Sequence, residues 1–396
     1  MIGKLILNNC LHKPLNAVLS IILFTLGVGI SSLIILVEFQ LKQKLNYDLV
    51  DIDMIVGAKG SPLQMVLSTI FQVDHPTGNI PVKEIEKLSR HPYVEKTIPI
   101  AMGDYYKESK IVGTTIDYLK KYHAEVEKGR INQRPFEIVI GNNMANRYQL
   151  KVGMHITSSH GNALDKSEEH KDQQYLITGI LKPSNSVINN IAITSVESIW
   201  NIHHHEKDNK HDEKEEKQVT AALIKFRSPM GVMTLPNWIN QNTNLQAAIP
   251  IIEINKLLDI TGLGLNTLKW IAYLIILVAL ISIFITMISR LQERKVEIAL
   301  MRSLGASKLI LFTICITEIL VYCAIGIILG MLLSRISLTF LNATQISIPT
   351  IEFDNWTIKQ DELTVIFSII GLCLLSTIFP IFKVYQLNIA KTLNEN

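Results

Sequence analysis

The stretch Arg290–Gly330, RLQERKVEIALMRSLGASKLILFTICITEILVYCAIGIILG, passes from dense charge to a long apolar run. A preceding apolar run ends near Ser289, so the charged part starts where a bilayer would stop. Arg290, Arg294, Lys295, Arg302 and Lys308 make it basic, and short basic loops beside membrane spans stay in the cytoplasm. Leu291, Ile298, Met301 and Leu304 recur at steps of seven, three and three, while Glu293, Lys295, Glu297 and Arg302 lie largely off that stripe. The spacing predicts a short amphipathic helix over 291–308 that stops at Gly305. Two readings fit: a loop whose positive charge fixes topology, or a helix on which a soluble partner docks. The interleaved acids Glu293 and Glu297 favour docking.

Glu293-Arg294, Glu297-Ile298, Arg302, Leu304-Gly305-Ala306, Glu318 and the pair Gly326/Gly330 resemble the FtsX-like permease signature. That family includes the MacB-type and lipoprotein-releasing ABC permeases. The resemblance implies four transmembrane helices and a large extracytoplasmic domain with a porter-like and a β-rich inserted part. It implies that Glu293, Arg294, Glu297, Arg302 and Gly305 couple the chain to a separate ABC ATPase. It also implies a second permease copy, as a homodimer, or a related permease, as a heterodimer.

Outward from this stretch, the apolar residues gather in four runs, at about 17–37, 268–289, 309–334 and 363–383. Each has about 20 mainly apolar residues, enough to cross a hydrocarbon core of roughly 30 Å. The first run is too long for a signal-peptide core and no small-x-small site follows it, so it reads as an uncleaved span. The predicted order is an N-terminal segment and first span in 1–41, then an external domain in 42–265. A second span follows at 266–290, the coupling helix at 291–308 and a third span at 309–334. An external loop at 335–361, which lacks a basic excess, precedes a fourth span and tail in 362–396. Both termini are then cytoplasmic, at a bacterial inner membrane. In the third span Glu318 is a costly intramembrane carboxylate. It is a functional group, or it bonds a hydroxyl on a neighbouring span or sits shallow near the cytoplasmic face, with Tyr322 one turn on. Gly326 and Gly330 form a G-x-x-x-G pair that permits close helix packing, and Pro380 suggests a kink in the fourth span.

The external segment is long enough for its own core and reads as mixed α+β. Strand-like runs lie at 131–140 and 174–181, and Pro81–Ser89 reads as a helix with Ile85 and Leu88 on one face. Seams near 112–119 and at Val219-Thr220-Ala221 place an insert at about 111–217, with the porter-like part in 42–110 and 218–262. None of the four cysteines lies in this segment, so it does not rely on disulfides. Met65, Val66, Leu67, Ile70 and Phe71 read as core or as a partner-facing surface.

Ile55-Val56-Gly57-Ala58-Lys59-Gly60-Ser61 suggests a phosphate loop, but Lys59 precedes Gly60 and the Walker spacing fails. No G-x-S-x-G, H-E-x-x-H or C-x-x-C occurs, so the chain reads as a non-enzyme whose ATP is hydrolysed by a partner. The net charge of +3 excludes a global basic field for nucleic acid. All eleven histidines but His12 fall in the external segment. His203, His204, His205 and His211 lie in a run crowded with lysine and acid. It is a solvated loop or a weak zinc site. The expected function is a permease subunit that passes ATP-driven motion to its external domain for export or extraction of a lipophilic cargo, such as a lipoprotein, peptide or drug. A periplasmic adaptor or substrate protein would be a further partner. The alternatives are metal-linked transport or sensing, or a signalling permease that controls an external partner.

Overall fold

The computed structural model describes residues 14–160, 169–184, 186–207, 217–293, 303, 307–343 and 360–385. The described elements are α1 (Pro14–Leu49), β1 (Met54–Ala58), α2 (Pro62–Thr69), β2 (Ile80–Pro81), α3 (Val82–Ser89), β3 (Val94–Tyr106), β4 (Ser109–Thr114), α4 (Ile116–Lys121), β5 (Val126–Gly129), β6 (Glu137–Ile140), α5 (Asn142–Tyr148), β7 (His155–His160) and β8 (Glu169–Leu181). They continue with β9 (Ala192–Ser195), α6 (Val196–Lys207), β10 (Gln218–Val219), β11 (Ala221–Phe226), α7 (Pro229–Asn242), β12 (Leu245–Ala248), α8 (Pro250–Glu293), α9 (Lys308–Ala343) and α10 (Gln360–Tyr385). The chain divides into two units. One joins α1 up to Gln40 with the helices from Thr261 on, and the other holds Leu41–Ile260.

The second unit is built on a ten-stranded sheet in the order β12-β1-β11-β3-β4-β9-β6-β8-β5, with β7 pairing β3 and β8. β4 runs parallel to β9 and β6 parallel to β8; the other pairs in this sheet are antiparallel. Both faces are buried. Met54 and Val56 point into one core and Ile55 into the other, as do Ile138 and Ile140 against Val139. A strand buried on both faces reads as a continuous β-branched run, which is why β1, β6 and β11 show no polar alternation. Helices cover both sides: Ile85, Leu88, Ile199, Ile202, Leu235 and Ile239 fill the first core. Met65, Val66, Ile70, Phe71, Tyr118 and Leu119 fill the second, so the 65–71 stretch is core.

Local chemistry sets the element ends. Ser61 caps α2 by accepting from the Gln64 N–H, and Pro62 occupies the first turn, where a missing donor costs nothing. Pro81 is the residue before α3, whose inward face carries Ile85 and Leu88. In the 131–140 run only Glu137–Ile140 is a strand. The residues before it are held off the sheet by Glu137, whose Oε2 accepts from the backbone N–H groups of Gln133 at 2.8 Å and Arg134 at 3.2 Å.

Arg130 clamps the same carboxylate with a fork, Nη1 to Oε2 at 2.7 Å and Nη2 to Oε1 at 2.5 Å. These hydrogen bonds from Arg130, with the two N–H groups, hold the Glu137 carboxyl down at about 2 against the opposing effect of burial. A depressed carboxylate stabilises the fold above its unfolded value of 4.5, and the gain is lost as pH falls toward 2. Glu137→Gln should therefore lower stability at pH 7 by about 1–2 kcal/mol, discounted because Arg130 is half-exposed. The gap to the wild type should shrink between pH 4.5 and 2 in thermal melts; a constant gap would refute the assignment.

The first unit is a bundle. Phe24 and Val28 of α1, Ile276, Ala279 and Leu280 of α8, Ile319, Cys323 and Ile327 of α9, and Ile369 and Cys373 of α10 form its core. Among the described residues, three stretches are long and apolar enough to cross a membrane: Ile21–Leu49, Pro250–Ser282 and Ile319–Leu341. Two boundaries differ from the sequence reading. α8 is continuous from Pro250, not from 266, because no breaker interrupts it: Gly262 and Gly264 cost helix stability but do not end it. α9 runs through Arg335 to Ala343, so that residue belongs to the helix and not to an external loop.

Candidate functional site: the helix α1 and its partners

α1 carries two glycines that admit different partners. A Cβ placed on Gly27 would lie 2.6 Å from Ile276 Cγ1 of α8. One placed on Gly29 would lie 3.1 Å from Leu333 Cδ2 and 3.2 Å from the Gly330 carbonyl oxygen of α9. From the other side, a Cβ on Gly326 would lie 2.7 Å from Phe24 Cβ. One on Gly330 would lie 2.8 Å from Val28 Cβ and 3.0 Å from the Gly29 nitrogen. Gly326 and Gly330 thus form the surface against which α1 packs, the small-residue seam that lets apolar helices approach closely.

Five residues beyond Gly330 the contact turns polar. Arg335 of α9 donates to Glu362 of α10 from both ends of its guanidinium, Nη1 to Oε1 at 3.1 Å and Nη2 to Oε2 at 3.0 Å. Ser32 of α1 donates to Glu362 Oε1 at 2.5 Å and lies 3.0 Å from the Ser334 hydroxyl. Glu362 is 2% exposed and Arg335 7%, so the pair is out of water. The sequence reading counted Arg335 among loop charges. The helix continues because guanidinium and carboxylate satisfy one another inside the bundle. Further along α1, Glu38 forms an ion pair with Lys269 of α8.

Within the second unit, the end of α1 is held by α4. Lys121 Nζ donates to the Asp48 carbonyl at 2.8 Å and stands 3.6 Å over the Tyr122 ring. Burial pushes the Lys121 ammonium down to about 8, opposed by Asp48 and Asp51. The Tyr118 and Tyr122 rings meet edge to face at 5.2 Å. A groove of about 420 Å³ opens at the carboxyl ends of the parallel strands β4 and β9, lined by Val82, Pro99, Thr114, Ile193, Glu197 and Trp200 among others. Such strand ends are where open sheets offer ligand crevices. Its one ionisable lining residue is Glu197, so it carries no cation for an anionic ligand.

Of the coupling residues, Glu293 is the last residue of α8, while Arg294, Glu297, Arg302 and Gly305 lie outside the described residues. Glu318 is on α9 but its side chain is not described; Tyr322, one turn on, is buried. His203, His204 and His205 fall in α6 without described side chains, and His211 lies outside the described residues. Among the described residues no group of three or more His, Cys, Asp or Glu side chains is placed to hold a metal ion. Sequence reading missed Ser32, Arg335 and Glu362. The available signal was an arginine and a glutamate flanking two apolar runs, which can pair if the runs are antiparallel neighbours.

No curated protein sequence matches the chain. Among solved structures, it is similar to the periplasmic region of MacB from Actinobacillus actinomycetemcomitans, at 8% identity and a TM-score of 0.34, covering 54% of this chain and 98% of that one. It is also similar to the extracellular domain of the ABC-type transporter YknZ from Gram-positive bacteria, at 12% identity and a TM-score of 0.30, covering 49% and 98%. The model of the FtsX-like permease C-terminal family matches residues 270–389, the part that holds Gly326, Gly330, Arg335 and Glu362. That match makes the C-terminal helices similar to the C-terminal part of FtsX-like permeases.

Proposed function

We propose that the chain is the permease subunit of an ABC transporter, in a bacterial inner membrane with both termini cytoplasmic. It passes ATP-driven motion from a separate ATPase to its external domain, for export or extraction of a lipophilic cargo. The observation that carries this is the grip on α1. One 36-residue helix is packed against α9 through glycines, bonded to α10 and α8 through polar groups, and continues to Asp48, where α4 holds it. A helix of this length spans about 54 Å, well beyond a hydrocarbon core of roughly 30 Å. It is a stiff element. The porter-like part (42–110 and 218–262) and the insert (111–217) share one sheet through β3 and β4, so they would move together. The partly apolar groove without a cation suits an uncharged or lipophilic surface. Two permease copies and two ATPases around one axis complete the proposed assembly.

The test is a charge reversal at the end of α8. Glu293→Lys with Arg294→Glu should leave the melting temperature of the purified chain unchanged and abolish co-purification of its ATPase. Retained ATPase binding with retained transport would overturn the coupling role.

A further inference from the structure

Resting on that reading, we propose that Arg335 and Glu362, with Ser32, are positioning residues: they form a latch that fixes the register of α9 and α10 on α1, so that movement of α9 is carried into α1. The argument starts from cost. An ionisable group inside an apolar span is expensive, and its retention points to a role with a named partner. A buried ion pair is a poor way to gain stability, because well-packed apolar residues of similar volume often do as well or better. What the pair supplies is geometry. The guanidinium fork meets both carboxylate oxygens, and Ser32 meets one of them from a third helix. A slip of one helical turn, about 5.4 Å, would break all three bonds at once. The seam at Gly326 and Gly330 supplies close packing but no directional bond. The glycines therefore set how close α1 and α9 come, and the latch sets where along their length they meet. A separate ion pair, Glu38 of α1 with Lys269, ties α1 to α8.

The experiment compares the full chain in nanodiscs with three variants. They are Arg335→Leu/Glu362→Leu, which removes the latch without stranding a charge, the exchange Arg335→Glu/Glu362→Arg, and Arg335→Lys, which keeps the charge but not the fork. Click-attached spin labels at the exposed positions Leu332 on α9 and Leu372 on α10 report register, and Leu26 with Leu332 reports α1 against α9. The wild type should give one sharp distance for Leu332–Leu372, and the apolar double variant a broadened or second distance at an unchanged melting temperature. The exchange should restore the sharp distance at least in part, and Arg335→Lys should fall between. A sharp, unshifted distance in the apolar double variant would overturn the latch. With the cognate ATPase and ATP-vanadate, the label on Leu26 should follow α9 in the wild type and lag in the double variant. If ATP-vanadate moves neither label in the wild type, the permease reading itself is overturned, whatever the register result.

Discussion

Gly330→Leu should lower the stability of the full chain by about 3 kcal/mol, the upper part of the range for overpacking, with a fall in Tm of roughly 5–10 °C. The new Cβ alone would stand 2.8 Å from Val28 Cβ and 3.0 Å from the Gly29 nitrogen, and three further carbons must follow it. Val28 is 2% exposed and has nowhere to rotate, and Gly29 offers backbone, so α1 and α9 must separate. The matched control is Gly371→Leu on α10, where no atom of the described residues beyond its own helix turn lies within 4 Å. It should be neutral or slightly stabilising, because glycine costs a helix interior roughly 0.5–1 kcal/mol relative to alanine. Thermal melts of both variants in the same detergent decide the matter. Equal shifts would show that the seam is not a packing constraint.

Gly141→Ala should damage the second unit severely. Gly141 precedes α5 and donates its N–H to the Ile191 carbonyl at 3.0 Å. A Cβ there would lie 2.2 Å from the carbonyl oxygens of both Ile188 and Asn189. Its backbone is in the extended region, φ −68 and ψ 154, so the penalty comes wholly from contact and not from strain. Two backbone carbonyls would have to withdraw by about an ångström, which would open the turn beside β6 and β9. The expected loss is about 4–5 kcal/mol, the exceptional end for a point change and comparable with the whole stability of a marginal domain. Proteolysis of the full chain should cut within the 111–217 region of the variant while leaving the wild type intact. An uncut variant with a wild-type melt would refute the close approach.

What could be read from the chain was whatever is local. Span-length apolar runs mark α1, α8 and α9, because a helix long and apolar enough to cross a bilayer leaves a continuous signature. Gly326 and Gly330 are visible because their spacing puts them on one helix face. Ile85 and Leu88 are visible for the same reason. Arg335 was not, because a charge after an apolar run looks like the end of a span. Its partner is 27 residues away and lies in another helix. The partner glycine Gly29 carries no spacing signal of its own. The order of the sheet was also hidden. β11 pairs with β1 and β3 from far along the chain, and buried strands without alternation do not announce their neighbours. The 131–140 run looked like one strand because its β-branched residues do not record that Glu137 turns the first part into a clamped loop.

The position of β11 has a consequence for biogenesis. It lies between β1 and β3 and hydrogen-bonds to both, yet it is made after the whole of β4 to β9. At synthesis rates of about 5–20 residues per second, β1 and β3 must wait on the order of ten seconds with facing edges unpaired. Unpaired apolar edges invite pairing with other chains. By the time β11 and β12 emerge, α8 is next, and under the topology proposed above its membrane insertion would anchor the end of the domain just as the strand between β1 and β3 arrives. The second unit would then close its sheet late, which would make the newborn domain a client for holding factors.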